Sequence, residues 1–277
     1  MSNLISRRPY RGSLRAVIFD WAGTIVDFGS RAPVLAVQQA FDSLGVPVTT
    51  DEVRGPMGMA KRAHLQAMLE VPRIATAWQA ARGAQPNDAA VDEVYGQFLE
   101  MQSDLLLAHS EFIPGAVEAI AACRRRGLKI GSSTGYTREL LAPLVDAANE
   151  IGVTFDAVLC ASDVSVGRPA PWLCFENARR MDVYPMAAIV KVDDTTVGVE
   201  AGVNAGAWAV GVAASGNLVG LSRDELAALT DDDRAGRVAA ARAALFEAGA
   251  HLVVDTVADL PDALGAIETA LAQGERP

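Results

Sequence analysis

The sequence of 277 residues has few cysteines, few lysines and no apolar run long enough to cross a bilayer. Its cysteines, Cys123, Cys160 and Cys174, are odd in number and lie in apolar stretches. This indicates reduced core residues, not a disulfide framework or a metal site. The polar start of the chain is not followed by the apolar segment of a secretion signal. We therefore expect a cytoplasmic protein with no membrane partner.

Basic residues are also in deficit, since 24 lysines and arginines face 34 aspartates and glutamates and give a net charge of −10. This charge argues against a nucleic-acid partner and provides no long-range attraction for an anionic substrate. The charge that binds such a substrate must therefore be local. Hydrophobic residues make up 51% of the chain, enough for a large core in one domain with an insertion or in two domains.

Short apolar strands alternate with helical segments over most of the chain, a pattern typical of a doubly wound parallel α/β sheet. The predicted strands are residues 14–20, 128–134, 157–160, 188–193, 208–212 and 251–254. An acidic helical stretch at 222–249 is predicted to be a solvated surface addition without a chemical role.

A long segment without strand signals interrupts this alternation. Within it, residues 32–45 carry Val34, Val37, Phe41 and Leu44 at helical spacing. We therefore predict an inserted helical cap. The predicted domains are an N-terminal arm at 1–13, an α/β core domain formed by 14–29 and 108–277, and a helical cap domain at 30–107.

The first predicted strand delivers a carboxylate, Asp20, into a turn of small residues closed by Thr24. At the carboxyl end of a buried parallel strand a carboxylate is partly desolvated yet reachable, as a nucleophile or a metal ligand must be. Taken alone, Asp20 is equally consistent with a turn-forming aspartate of purely structural role.

Further polar residues follow later strands. Asp193 and Asp194 end one strand and supply the oxygen ligands that Mg²⁺ prefers. Thr134 and Gly135 end another and suit hydrogen bonding to phosphate oxygens. Arg168, between the two strands, offers a guanidinium matched to phosphate. The hydroxyl run that ends in Thr134 also fits a helix cap, and Arg168 also fits a surface ion pair, but the succession of these residues after strands indicates phosphoryl transfer.

In this order, Asp20, Thr134, Arg168 and Asp193-Asp194 resemble the four motifs of the haloacid dehalogenase superfamily of phosphoryl-transfer enzymes. The resemblance narrows to the phosphonoacetaldehyde hydrolases, or phosphonatases, through the segments DWAGT, PMGMAKRAH, GSSTGYTRE, GRPAPW and NAGAWAVGV. It extends from about residue 14 to the C-terminus. It implies a Rossmann-type core with a helical cap and hydrolysis of the carbon–phosphorus bond of phosphonoacetaldehyde.

One position departs from most phosphatases of that superfamily. They carry a second aspartate two residues after the nucleophile as the general acid for the leaving group, whereas this chain has Ala22. Without that acid an alkoxide leaves slowly, so another leaving group is indicated. When a phosphorus–carbon bond breaks, an iminium two atoms away can accept the electron pair as a neutral enamine. Formation of that iminium requires a lysine amine.

The chain offers three lysines for this role. Lys61 lies beside Met57 and Met59 and precedes an arginine, and both surroundings lower the pKa of an ammonium. On residue chemistry alone a solvated lysine on a helix is the commoner case. The resemblance instead places Lys61 at the Schiff-base lysine of phosphonatases. Lys129 and Lys191 fit structural or phosphate-side roles, and Lys191 is placed to restrain the carboxylates that follow it.

The resemblance implies the remaining site residues one by one. It gives catalytic roles to Asp20, Lys61, Thr134, Arg168 and His64, substrate contacts to Met57, Gly135 and Tyr136, and Mg²⁺ coordination to Asp20, the Ala22 carbonyl and Asp194. His64 would carry protons in the imine chemistry, although a lone histidine is more often a helix-surface residue. Asp193 stands where some relatives have glycine, and Gly198 where some have an aspartate. A homodimer through the cap helices is also implied.

The predicted function is therefore hydrolysis of phosphonoacetaldehyde to acetaldehyde and phosphate in the degradation of 2-aminoethylphosphonate. The Schiff base and an aspartyl-phosphate are its intermediates. The alternative enzyme is a Mg²⁺-dependent phosphatase acting on a small phosphate ester, with Lys61 only helping to bind it; Ala22 counts against it. A non-catalytic binding protein that keeps the fold is disfavoured, because the catalytic residue types occur together.

Overall fold

The computed structural model describes residues 10–277, apart from the side chains of residues 103, 104 and 107, so residues 1–9 of the predicted N-terminal arm lie outside the described residues. Six parallel strands form one sheet in the order β3-β2-β1-β4-β5-β6. The strands are β1 (Ala16–Phe19), β2 (Lys129–Thr134), β3 (Ala157–Cys160), β4 (Ile189–Asp193), β5 (Trp208–Val212) and β6 (Leu252–Val254). The predicted doubly wound parallel sheet is confirmed.

Strand β1 is buried on both faces, as the middle of a parallel sheet requires. Val17 and Phe19 belong to one hydrophobic cluster, and Ala16 and Ile18 to a second on the opposite face. Because β1 lies between β2 and β4, the chain order reverses there. The carboxyl end of β1 is therefore at the point where doubly wound sheets form a ligand crevice.

Between β1 and the next strand the chain is helical, and we call the part of this segment that ends with α5 the helical insert. Its helices are α1 (Ala32–Ser43), α2 (Thr50–Arg54), α3 (Lys61–Leu69), α4 (Pro72–Arg82) and α5 (Asp88–Ala108). Helix α2 begins with a capping box formed by Thr49 and Glu52. Helices α1 and α5 pack together, and Phe41 and Phe98 are fully buried. The domain boundaries at 30 and 107 stay a prediction.

The remaining helices cover the two faces of the sheet. They are α6 (Ala116–Arg125), α7 (Arg138–Glu150), α8 (Trp172–Met181), α9 (Thr196–Asn204), α10 (Arg223–Ala228), α11 (Asp231–Glu247) and α12 (Leu260–Gln273). Helices α8, α9 and α11 pack on one face, and α6 and α12 on the other. Among residues 10–277, no helix has the length and apolar character that a bilayer crossing needs. The three cysteines are buried and unbridged, as predicted.

The prediction of a solvated surface addition at 222–249 is wrong in part, because most of the segment is exposed but one of its helices packs on the sheet. The segment forms two helices, and α11 packs against β5 and β6. Ala241 and Leu245 are its buried residues, and Leu245 lies against Gly211 of β5. So narrow an apolar stripe is hidden among charged residues and alanines, which is why the sequence pattern indicated a solvated helix.

Candidate active site

A cavity with about 290 Å³ of empty volume opens at the carboxyl end of β1, between the sheet and the helical insert. The residues predicted from the sequence that line it are Asp20, Ala22, Met57, Lys61, Thr134, Gly135, Tyr136 and Arg168. Two other predicted residues, His64 and Asp194, lie outside its wall.

Asp20 follows β1 and is 5% exposed. Its backbone N–H donates to the carbonyl of Val192 at 3.0 Å, which extends the β1–β4 pairing to the site. The Arg168 guanidinium donates to Asp20 Oδ1 at 2.6 Å. Burial raises the pKa of Asp20, and Arg168 opposes that rise while Asp193 adds to it. Asp20 is thus a desolvated carboxylate with a single oxygen engaged by a cation.

Arg168 is buried, so the alternative of a surface ion pair is wrong for this residue. Besides Asp20, it contacts Asp193 Oδ2 at 3.1 Å through Nη1 and donates to the carbonyl oxygen of Ser133 through Nη2. Nη2 also lies 3.1 Å from Ser133 Oγ. The guanidinium plane is therefore fixed at the end of β2, facing the cavity.

Asp193 accepts hydrogen bonds from three groups and does not line the cavity. Lys191 Nζ donates to Oδ2 at 2.6 Å, and the backbone N–H and Oγ1 of Thr195 donate to Oδ1 at 3.0 and 2.7 Å. Burial works against the charge, but Arg168 and Lys191 outweigh it and hold the pKa of Asp193 below its ordinary value. Lys191 therefore restrains the carboxylate cluster, as the sequence suggested.

Gly198 explains how Asp193 fits. A Cβ atom at position 198 would overlap the Asp193 carboxylate. The glycine in α9 thus leaves the space that the Asp193 side chain fills. The two departures from the motif are therefore one structural arrangement.

Asp194 points toward Asp20 from the end of β4. The backbone N–H of Asn217 donates to its Oδ2 at 2.7 Å, and Thr24 Oγ1 donates to its Oδ1 at 3.3 Å. Gly23, with φ of 80°, leaves room for this carboxylate, because a Cβ there would overlap Oδ2. Burial raises the pKa of Asp194 well above its ordinary value, and the charges of Asp20 and Asp193 add to the effect.

The three aspartates form a candidate site for a divalent metal. Carboxylate oxygens of Asp20, Asp193 and Asp194 all lie within 4.8 Å of one another. Asp193 and Asp20 have cationic partners, whereas within the described part of the chain Asp194 has no salt bridge. The cluster thus offers carboxylate oxygens, the ligands that a hard divalent cation prefers, and Asp194 lacks a cationic partner there.

Lys61 is the first residue of α3 and is only 5% exposed, so the alternative of a solvated lysine is wrong. Its Nζ lies 3.5 Å from Met57 Sδ and 5.7 Å from the centroid of the Tyr136 ring. Burial lowers the pKa of Lys61 to about 8, although Asp20 partly opposes the shift. The helical insert therefore presents to the cavity an amine that loses its proton more readily than an ordinary lysine.

The loop before Lys61 lies tightly against the core. Gly58, with φ of 92°, leaves no space for a Cβ beside Thr195. A Cβ on Gly135 would meet the Met59 carbonyl oxygen. These close approaches show that the insert packs directly against the strand ends.

His64 lies one helical turn after Lys61 and is fully buried, so the helix-surface alternative is wrong. Burial lowers the pKa of His64 well below its ordinary value, and the Lys61 charge acts in the same direction. Neither ring nitrogen makes a hydrogen bond of normal geometry to a described residue, although the backbone of Val53 lies close. Both effects favour the neutral imidazole, which lies outside the cavity wall.

Comparisons with known proteins agree with this geometry. The family described as haloacid dehalogenase-like hydrolase matches residues 14–206. The chain is 45% identical to the phosphonoacetaldehyde hydrolase of Paraburkholderia xenovorans, over 95% of this chain and 99% of that protein. It is 42% identical to the phosphonoacetaldehyde hydrolase of Syntrophobacter fumaroxidans over the full length of both. The chain belongs to the phosphonoacetaldehyde hydrolase family.

Solved structures extend the comparison. A phosphonoacetaldehyde hydrolase-like protein from Oleispira antarctica has a TM-score of 0.96 and 39% identity, with both chains fully covered. A β-phosphoglucomutase from Clostridium difficile has a TM-score of 0.66 and 17% identity, covering 92% of this chain and 97% of its own. That second likeness shows the fold alone.

Some site residues of this family member were missed from the sequence. Ser133, which fixes Arg168, lies in the hydroxyl run beside Thr134 and was within reach of the motif reasoning. Arg54 donates to backbone and side-chain oxygens of Gly29, Asn217 and Gly220. No sequence signal connects these residues, because their partners lie far along the chain.

Proposed function

We propose that this member of the family hydrolyses phosphonoacetaldehyde to acetaldehyde and phosphate, as a step in 2-aminoethylphosphonate degradation. The observation that carries the proposal is that Lys61 and Asp20 line the same small cavity. One comes from the helical insert and the other from the sheet, so a molecule between them meets an amine and a carboxylate together.

Lys61 begins the reaction by attacking the aldehyde carbon. Loss of water leaves an iminium whose neighbouring carbon carries the phosphono group. A pKa of about 8 leaves roughly a tenth of Lys61 as the free amine at pH 7, compared with less than roughly one in a thousand for an ordinary lysine. Burial thus supplies the nucleophile. Neutral His64, one turn away, is the proposed proton carrier for this step.

Asp20 then attacks phosphorus in line. The phosphorus–carbon bond breaks, and its electron pair moves through carbon to the iminium nitrogen and leaves a neutral enamine. This leaving group needs no proton, which agrees with Ala22 in place of a general acid. In this proposal Arg168, Thr134 and the Gly135 backbone N–H hold the phosphoryl oxygens, which is supported by the position of all three residues in the cavity wall.

Two hydrolyses complete the cycle. Protonation of the enamine carbon restores an iminium, and water releases acetaldehyde from Lys61. A second water cleaves the aspartyl-phosphate and frees Asp20 and phosphate. In this proposal the close packing of the insert on the strand ends limits the access of other water to the reactive imine.

Asp20, the Ala22 carbonyl and Asp194 are the proposed ligands of Mg²⁺, which when bound supplies positive charge to the phosphoryl oxygens. We further propose that residues 30–107 act as a cap domain on the core formed by 14–29 and 108–277. The resemblance supports a homodimer through the cap helices. The free, buried cysteines agree with a reducing, cytoplasmic location.

The proposal is tested by borohydride trapping with phosphonoacetaldehyde, followed by peptide mapping. We expect the parent protein to carry a reduced ethyl group on Lys61, because cleavage precedes release of acetaldehyde. An Asp20→Asn variant should instead trap a phosphonoethyl group on the same lysine, since the amine still condenses while phosphorus has no nucleophile. An adduct on Lys129 or Lys191, or none, would contradict the proposal.

Turnover measurements distinguish the proposed function from the alternative, a phosphatase. The parent protein should release phosphate from phosphonoacetaldehyde with Mg²⁺ far faster than from aryl or sugar phosphates. Comparable rates on phosphate esters in a Lys61→Arg variant would favour the phosphatase instead. Absence of turnover on every substrate would favour a binding protein.

A further inference from the structure

A guanidinium from the helical insert enters the core behind the aspartate cluster. Arg54 is the last residue of α2, and its guanidinium is mostly buried. Nη1 donates to the Gly29 carbonyl at 3.0 Å, and Nη2 donates to the Gly220 carbonyl at 2.8 Å. Gly29 lies on the connection from β1 to α1, and Gly220 in the loop after β5. One side chain thus joins the insert to both.

Asn217, in the same loop, is held from two sides. Arg54 Nη1 donates to its carbonyl at 3.1 Å and to its Oδ1 at 2.9 Å. The Asn217 side-chain amide donates back to the carbonyl of Arg54 at 3.3 Å. The position of this residue therefore depends on where α2 lies.

Asn217 also donates its backbone N–H to Asp194 Oδ2 at 2.7 Å, a short hydrogen bond. The hydrogen bond from Thr24 to Asp194 is 3.3 Å long. A chain of direct contacts thus runs from the insert through Arg54 and Asn217 to a carboxylate of the metal cluster. If α2 moved away, Asn217 would lose its hydrogen bonds to Arg54, and its backbone N–H would no longer be held in place to orient Asp194.

Arg54 makes no ion pair with any residue that the structure describes. Its four hydrogen-bond acceptors are uncharged oxygens on segments far apart in the chain. A forked, planar donor is needed to reach all of them, so lysine cannot replace it. The guanidinium also stands close enough to Asp194 for their charges to attract each other.

We propose that Arg54 is a positioning residue that couples the seating of the helical insert to the affinity of Asp194 for a divalent cation. The proposal rests on the proposed function only in taking the aspartate cluster as the metal site. Because coupling between two equilibria is reciprocal, the bound cation in turn favours the seated insert. Arg54 touches no reacting atom and acts through Asn217.

The matched control is another arginine of the insert. Arg73 in α4 donates to Glu52 and to the Pro47 carbonyl, all within the insert and away from the core. Arg73→Ala removes a comparable set of hydrogen bonds without touching the loop that holds Asp194. Any general effect of loosening the insert appears in both variants.

The experiment measures Mg²⁺ binding by titration calorimetry, without substrate. We expect Arg54→Ala to weaken binding about tenfold, the lower end for residues that orient metal ligands, and Arg73→Ala to leave it within about twofold. Asn217→Ala should also weaken Mg²⁺ binding. Because the two residues act in series, the double variant Arg54→Ala/Asn217→Ala should bind Mg²⁺ as well as the single variant with the lower affinity. If Arg54→Ala does not fold, Arg54→Lys is used instead, and we expect it to lower the Mg²⁺ affinity several-fold.

Hydrogen exchange gives a second readout. In the parent protein Mg²⁺ should slow amide exchange in α2 as well as in the loop at residues 213–221, whereas in Arg54→Ala it should slow only the loop. Equal Mg²⁺ affinity in the Arg54 and Arg73 variants, additive losses in the double variant, or no Mg²⁺ binding by the parent would overturn the proposal. Lysine trapping at position 61 does not depend on any of these outcomes, so the two proposals fail separately.

Discussion

Replacement of Lys61 by methionine should stabilise the protein while it abolishes turnover. Methionine fills a similar volume beside Met57 and Tyr136 and carries no charge. The difference between the ordinary pKa of 10.5 and about 8 in the folded protein corresponds to about 3 kcal/mol of unfavourable burial of the ammonium. Lys61→Met removes this cost, so the free energy of unfolding should rise by about 3 kcal/mol at pH 7.

The stability difference between Lys61→Met and the parent should depend on pH. At pH 7 the lysine is protonated in both the folded and the unfolded protein, and the folded state bears the full cost. Between pH 8 and 10.5 the folded protein loses this proton first, so the unfolded state binds more protons and the parent gains stability as the pH rises. The advantage of Lys61→Met should therefore shrink to about 1 kcal/mol at pH 9.5.

Urea unfolding of metal-free protein at pH 7 and pH 9.5 measures this difference. Lys129→Met is the control, because that ammonium is about half exposed beside Asp156, at 53% side-chain exposure, and its removal relieves no comparable burial. If Lys61→Met is less stable than the parent at pH 7, or if its advantage is the same at both pH values, then burial does not supply the free amine and the reasoning fails.

Two other substitutions test the site and the corrected fold. Gly23→Ala should weaken Mg²⁺ binding at least tenfold in calorimetry and lower the free energy of unfolding in urea by about 1–3 kcal/mol. The reason is that position 23 has positive φ and that a Cβ there would overlap Asp194. Unchanged Mg²⁺ binding would contradict the placement of that carboxylate. Leu245→Ala should cost about 2–5 kcal/mol through a cavity over β5 while kcat stays near that of the parent, and a loss below about 1 kcal/mol would mean that α11 is a solvated addition after all.

The sheet was predictable because its strands are short apolar runs whose ends carry the polar residues. Strand limits shifted by one or two residues, as at 14–20 against Ala16–Phe19, because the ladder ends before the apolar run does. The convergence of Asp20, Thr134 and Asp194 followed from parallel pairing alone, since the carboxyl ends of neighbouring strands meet.

Other parts of the site depend on contacts between distant segments. The burial of His64 and the hydrogen bonds of Arg54 to Asn217 depend on how the insert packs on the core, and no local sequence pattern indicates that packing. The packing of α11 was not predicted because its apolar stripe contains only two buried residues, too few to give a clear helical pattern.

The overlap between position 198 and the Asp193 side chain also limits how such a motif can change during evolution. A chain that gained the carboxylate at 193 while it kept any side chain at 198 would have two groups competing for one space. Loss of the side chain at 198 must then come first or at the same time. The order of the two mutations is thus constrained by volume, whatever the selective advantage of either.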